Sequence, residues 1–246
     1  MIINAVCEKE EQAEALSGIG GIRRIFHPKN IMPYIFRNGD AASCKDFLSE
    51  SYLLVRNIDE IGYLEENGYT GEIFADHTLY SFNSAARDML KSFGALHDTA
   101  PLELNYRELS ARGMSGSELM IYGRVPMMIS AGCLYKNTHE NRCKRNDRGG
   151  HDILLTDRTD TCFPVICDCR YCCNIILNSV PLSLHGHTDK IRELAPGSVR
   201  LYFTTENGRK TRQTAEYFIA ALKGGDDPGD PPYMHFTNGH FIKGIV

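Results

Sequence analysis

The chain has 246 residues, with 27 Lys or Arg against 31 Asp or Glu (a formal net charge of −4) and 42% apolar residues. This composition excludes collagen-like, coiled-coil and largely disordered chains, and no apolar run approaches the roughly 18 residues that a membrane span needs. The mild acidity gives no general attraction for nucleic acid, and the basic patch within Lys136–Arg148 reads on its own as a solvated loop. Met1–Cys7 runs into the acidic Glu8–Glu11 without a charged-then-apolar leader, so cytoplasmic residence is expected.

Short runs rich in β-branched and aromatic residues predict strands at Ile2–Val6, Arg24–Phe26, Ile31–Phe36, Tyr52–Val55, Glu72–Ala75, Leu119–Tyr122, Ile175–Leu177 and Val199–Phe203. Helical spacing predicts Glu8–Leu16, Ile58–Asn67, Ser81–Phe93, Tyr106–Arg112 and Lys210–Lys223. Asp59 and Glu60 open one helix that stops near Gly68, and Gly94 suits a left-handed stop after Phe93. Alternating strands and helices imply parallel pairing. At this length the expected fold is α/β, a single TIM-like β/α barrel over residues 1–246, complete or incomplete, with an open doubly wound sheet as the alternative. The stretch 127–173 breaks the pattern, being polar and cysteine-rich around Gly149-Gly150, and is expected to be a loop insertion held by a metal.

Seven of the nine cysteines lie between Cys133 and Cys173. Cys169-Arg170-Tyr171-Cys172 is a C-x-x-C, a spacing that lets two thiolates converge on one centre. With Cys133 and Cys143 it makes four soft ligands in one segment, which suit either tetrahedral zinc or an iron–sulfur cluster. Burial as small apolar side chains is the plainer alternative. The other motifs fail. His139-Glu140-Asn141-Arg142-Cys143 lacks the second histidine of a zinc protease. Gly113–Ser117 lacks the last glycine of a nucleophile elbow, Gly18–Gly21 lacks the third glycine of a dinucleotide loop, and there is no phosphate-cradling Gly-Lys-Ser/Thr.

Several segments together resemble the U-thirty-two, or collagenase-like, peptidase family, in particular the C-terminal half of its longer members. They are Leu119–Cys133 (L-M-I-Y-G-R-V-P-M-M-I-S-A-G-C) with Lys136-Asn137-Thr138, Asp157-Arg158, Phe163-Pro164-Val165, Cys169–Cys172, Asn174–Ser179 with Pro181-Leu182, and Phe236–Phe241. The resemblance implies a four-iron, four-sulfur (4Fe-4S) cluster on Cys133, Cys143, Cys169 and Cys172. It also implies an oxygen-insertion role, hydroxylating RNA or a small aromatic carboxylate, with a partner subunit among the expected partners; no membrane is expected, from the short apolar runs. Two departures stand out: Met127 and Met128 occupy the place of an additional family cysteine, and the link from Thr138 to Cys143 is long.

On a β/α barrel the substrate meets the strands' C-terminal face. The residues expected there are Asp76, Glu103, Tyr122 and His240 as candidate catalytic groups, with Arg56, Asn105, Arg124 and Glu206 as candidate substrate contacts. Arg56, Arg124 and Arg158 have the fork geometry to grip a carboxylate or phosphate, although each serves equally well in a structural ion pair. Two other functions fit the same residues: a collagenase-like peptidase of unrecognised mechanism, and a non-catalytic, metal-stabilised RNA-binding or accessory module, with zinc as the alternative metal.

Overall fold

The computed structural model describes residues 1–35, 40–132, 134–138, 153–169, 171–224 and 228–245. The chain opens with β1 (Ile3–Cys7), α1 (Glu10–Leu16) and β2 (Ile22–Phe26), followed by a 3₁₀ segment, Asp40–Ser49. Next come β3 (Tyr52–Val55), α2 (Ile58–Glu66), β4 (Glu72–Ala75), α3 (Ser84–Ser92), β5 (His97–Thr99), α4 (Tyr106–Arg112) and β6 (Ser117–Gly123). The middle of the chain holds β7 (Pro126–Ser130), α5 (Leu134–Thr138), β8 (Ile153–Thr156), β9 (Cys162–Asp168) and β10 (Cys173–Leu177). The closing part contains β11 (Leu182–Ser183), α6 (Thr188–Leu194), β12 (Ser198–Phe203) and α7 (Gly208–Lys223).

Seven of these strands form a parallel sheet in the order β2-β1-β12-β6-β5-β4-β3. The central members β1 and β6 are buried at every position, as expected of parallel strands covered on both faces. The two ends of the path, β2 and β3, are joined by side chains and one bridge. The Tyr52 hydroxyl donates to the Ile25 carbonyl at 2.9 Å, Phe26 meets Tyr52 edge-on at 5.3 Å, and Ile31 makes a parallel bridge to Leu54. The result is a mixed α/β fold with a nearly closed, barrel-like parallel sheet, compatible with the expected TIM-like barrel.

Asparagines start four of the helices. Asn57, Asn83, Asn105 and Asn207 each accept a backbone N–H from the first turn, satisfying donors that the helix cannot pair internally. The helices predicted from Ser81 and Lys210 therefore begin at Ser84 and Gly208, one residue past their caps.

Two expectations are corrected. The strand predicted over Ile31–Phe36 shrinks to the single bridge at Ile31, because Pro33 has no N–H to extend a ladder; Phe36 itself lies outside the described residues. The described parts of 127–173 are a second sheet, not an open loop: β7, β10, β9 and β8 pair antiparallel in that order. Pro126–Ser130, exposed at its three central residues, and the half-buried Cys162–Asp168 pair as strands despite their polar flanks. Most of the basic patch lies outside the described residues. Among the described residues, no helix is long and apolar enough to cross a membrane.

Candidate functional site

The interior of the parallel sheet is polar where the strands' inward side chains meet. Arg200 on β12 donates through Nε to Glu118 at 2.5 Å, through Nη1 to Asp76 at 2.5 Å and through Nη2 to Thr99 at 2.7 Å. Glu118 also accepts from Asn4 at 2.7 Å and Ser198 at 3.0 Å. Towards the C-terminal ends of the strands, Arg56 donates to Glu8 at 2.6 Å, to the Tyr202 hydroxyl at 3.0 Å and to Asp76 at 3.4 Å. Its guanidinium carbon lies 3.8 Å from the centre of the Tyr34 ring. Tyr202 donates to Glu8 at 2.5 Å, and its hydroxyl lies 2.9 Å from that of Tyr34.

Burial opposes charge on Asp76, but His77, Arg200 and Arg56 outweigh it and hold the carboxyl well below the usual carboxylate range. Burial, then the charge of Glu8, holds the Tyr202 hydroxyl well above the ordinary tyrosine value. Asp76 and Arg56, predicted as separate candidates, thus share one network, and the donors of Arg56 are engaged within the protein.

The other predicted residues separate into distinct places. Arg200 pairs with Met120 and Leu201 with Tyr122, so Ile121 is an extra residue in β6. After this bulge Tyr122 packs against Phe203, Phe218 and Tyr233 and donates to Glu206 at 2.8 Å. Burial, then Glu206, pushes its hydroxyl up. Asn105 caps α4, with its side-chain oxygen accepting from Arg107 at 2.9 Å and Glu108 at 3.1 Å. Arg124 donates to the carbonyls of Asn178 and Ser179, and Arg158 is exposed in the turn between β8 and β9.

Glu103 and His240 flank or line a cavity of about 280 Å³ beside β5 and β6. Its apolar lining includes Leu102, Leu104, Met120, Val125, Leu182 and Phe241. Asn178, Thr237, Asn238 and His240 supply its polar atoms. Glu103, between two of the lining leucines, has a buried Oε2 without a hydrogen-bond partner.

Cys169 and Cys172 lie in the hairpin between β9 and β10, both half-buried. Cys172 adopts φ of +50°, and its sulfur lies 4.0 Å from the Cys169 carbonyl oxygen. Tyr171 turns inward, its hydroxyl 3.7 Å from the Cys44 sulfur, which anchors the hairpin on the 3₁₀ segment. Register brings β7 to the same end: Cys173 pairs with Asp168, Asn174 pairs with Ser130, and the Asn174 amide donates to the Gly132 carbonyl. Cys133 and Cys143 lie outside the described residues. Among the described residues, no three of His, Cys, Asp and Glu gather as a metal site.

Several central residues escaped the sequence reading. Glu8, Asn4, Glu118, Arg200 and Tyr202 were detectable as polar or charged positions in or beside otherwise apolar strand runs. A serine–imidazole contact also emerges, with Ser183 Oγ 2.8 Å from His185 Nδ1 and 2.7 Å from the Tyr233 hydroxyl. Ser183 has no exposed surface, so it offers no nucleophile to an outside peptide. The chain matches no protein-family model, no curated protein and no solved structure.

Proposed function

We propose that this chain is a cytoplasmic iron–sulfur protein of the U-thirty-two peptidase type, built on a TIM-like barrel and acting in hydroxylation of RNA or another aromatic substrate. Its cluster would be held by Cys133, Cys143, Cys169 and Cys172. The observation that carries this reading is the strand register: Gly132, one peptide bond before Cys133, is tied to Asn174, two residues beyond Cys172. The donor chemistry fits. Two half-buried thiols three residues apart in one hairpin suit a soft metal centre that takes sulfur ligands with limited access to water. A bound cluster would supply one-electron chemistry, its potential set by hydrogen bonds to sulfur and by exposure. The chain's own part is to fix the thiols: Tyr171 pins the hairpin from beneath and Asn174 ties it to β7. A peptidase reading has less support, because Ser183, whose hydroxyl meets the His185 imidazole, is fully buried.

Full-length protein purified without oxygen is expected to contain iron and sulfide in equal amounts and to absorb broadly in the visible. The double variant Cys169→Ser, Cys172→Ser should lose both while keeping its far-ultraviolet circular dichroism. Zinc in place of iron would replace the enzymatic reading with that of a metal-stabilised module, and the absence of any metal would overturn both.

A further inference from the structure

The cavity beside β5 and β6 has a lining chemistry that selects its ligand. Its volume of about 280 Å³ exceeds the ~150 Å³ of an apolar protein cavity that accommodates a benzene ring, so a two-ring or similarly sized molecule fits. The walls are leucines, Met120, Met127, Val125 and Phe241, and no Lys, Arg, Asp or Glu is among the lining residues. A carboxylate or phosphate entering here would meet no Lys or Arg, the His240 imidazole being the only titratable side chain in the lining, so desolvation disfavours a charged ligand relative to a neutral one. The polar groups sit together on the closing segment and after β10. The amide of Asn238 is already committed to the Ser183 carbonyl at 2.9 Å, and His240 Nδ1 faces the Gly244 carbonyl at 3.1 Å. The imidazole's second nitrogen and the Asn178 amide are the groups suited to a ligand hydroxyl or carbonyl.

We propose that this cavity binds a neutral, mainly apolar small molecule, aromatic or of comparable size, with a single hydroxyl or carbonyl directed at Asn178 and His240. The proposal does not depend on the cluster reading and holds for protein with or without metal.

The test is titration of the full chain with 2-naphthol and, separately, with its charged counterpart 2-naphthoate. Saturable binding of one 2-naphthol per chain is expected, with naphthoate at least about tenfold weaker because no Lys or Arg offsets the desolvation of its charge. Leu104→Trp, which fills the cavity, should abolish binding with unchanged circular dichroism. Should that variant fail to fold, methyl-¹³C labelling of methionine in the unaltered chain decides the matter. Met120 and Met127 resonances should shift on adding 2-naphthol, and that of Met32, buried in a separate cluster, should not. Equal affinity for the two probes, no saturation, or movement of Met32 without Met120 and Met127 would overturn the proposal.

Discussion

Arg200 Nη1 lies 2.5 Å from Asp76 Oδ1, and each side chain is only 2% exposed. With Glu118 on its other edge, this guanidinium links β12 to β4 and β6 across the barrel interior. Buried ion pairs contribute little net stability when intact, because desolvation offsets attraction, but removing one partner strands the other charge. Arg200→Met leaves the buried Glu118 without its cation and Asp76 with only Arg56 and His77, and is expected to cost about 3–5 kcal/mol in urea denaturation at neutral pH. Arg212→Met, which breaks the exposed Arg212–Glu216 pair at 2.9 Å on α7, should cost no more than about 0.5 kcal/mol. Similar losses for the two variants would refute the assignment of Arg200 as the central tie.

Glu60 makes a second prediction, with the sign fixed by burial. Its carboxyl is pushed up from the ordinary 4.5 to about 8, chiefly by desolvation, against the opposing pull of the Arg56 and Asn57 donors. Between these two values the folded state retains a proton that the unfolded chain has released. Stability attributable to this group is therefore present at acid pH and declines as pH rises from about 4.5 to 8, by at most about 1.4 kcal/mol per pH unit. Glu60→Gln weakens the helix cap at every pH, since its amide faces the Arg56 and Asn57 donors. It should nonetheless flatten this slope. Denaturation midpoints at pH 5, 6.5 and 8 for both proteins measure it; parallel profiles would show that Glu60 is not the titrating group.

Gly123 ends β6 where it pairs with Tyr202, at φ of +147°. A Cβ added there would lie 2.6 Å from the Tyr202 carbonyl oxygen, a backbone atom that cannot rotate away. Gly123→Ala is thus expected to destabilise by about 1–3 kcal/mol. Gly68→Ala also meets positive φ, but with nothing within 4 Å, so it carries strain alone and should cost less. Thermal denaturation of the two variants gives the ranking, and the reverse order would contradict this packing.

Much of the architecture was legible where burial is uniform. Tyr52–Val55, Glu72–Ala75 and Val199–Phe203 read as strands from their apolar content, and all three join the parallel sheet. The three residues of β5, His97–Thr99, carry no such signal: Asp98 is buried only because Arg112, Ser81 and Ser117 satisfy it from elsewhere in the chain. The same limit applies to the site. Arg56 and Asp76 stood out as charges just beyond strands, but their partners Tyr202 and Arg200 lie more than a hundred residues away, and only closure of the sheet brings them together. The packing of Tyr122 against Phe203, Phe218 and Tyr233 follows one inserted residue in β6, which local spacing does not reveal. Strands β8 and β9 were hidden by the cysteines and polar flanks of a segment read as a metal-binding loop.

Adjacent cysteines provide the last prediction. Cys172 is half-buried at the hairpin tip, whereas Cys173 begins β10 and packs into the cluster with Tyr171, Leu53 and Ile61. Cys172 sits in the turn at φ of +50°, ahead of the strand, whereas Cys173 is buried within it, so the two sulfurs have separate roles. Cys173→Ala removes buried contact and should lower stability by about 1 kcal/mol; on the proposed cluster reading it leaves iron per folded chain unchanged. Cys172→Ser should do the converse, leaving the unfolding midpoint of metal-free protein nearly unaltered while metal content falls. Iron analysis and denaturation of both variants, prepared without oxygen, separate the two effects. Loss of iron from Cys173→Ala with Cys172→Ser unaffected would reassign the ligand and require the hairpin to present its other face to the metal.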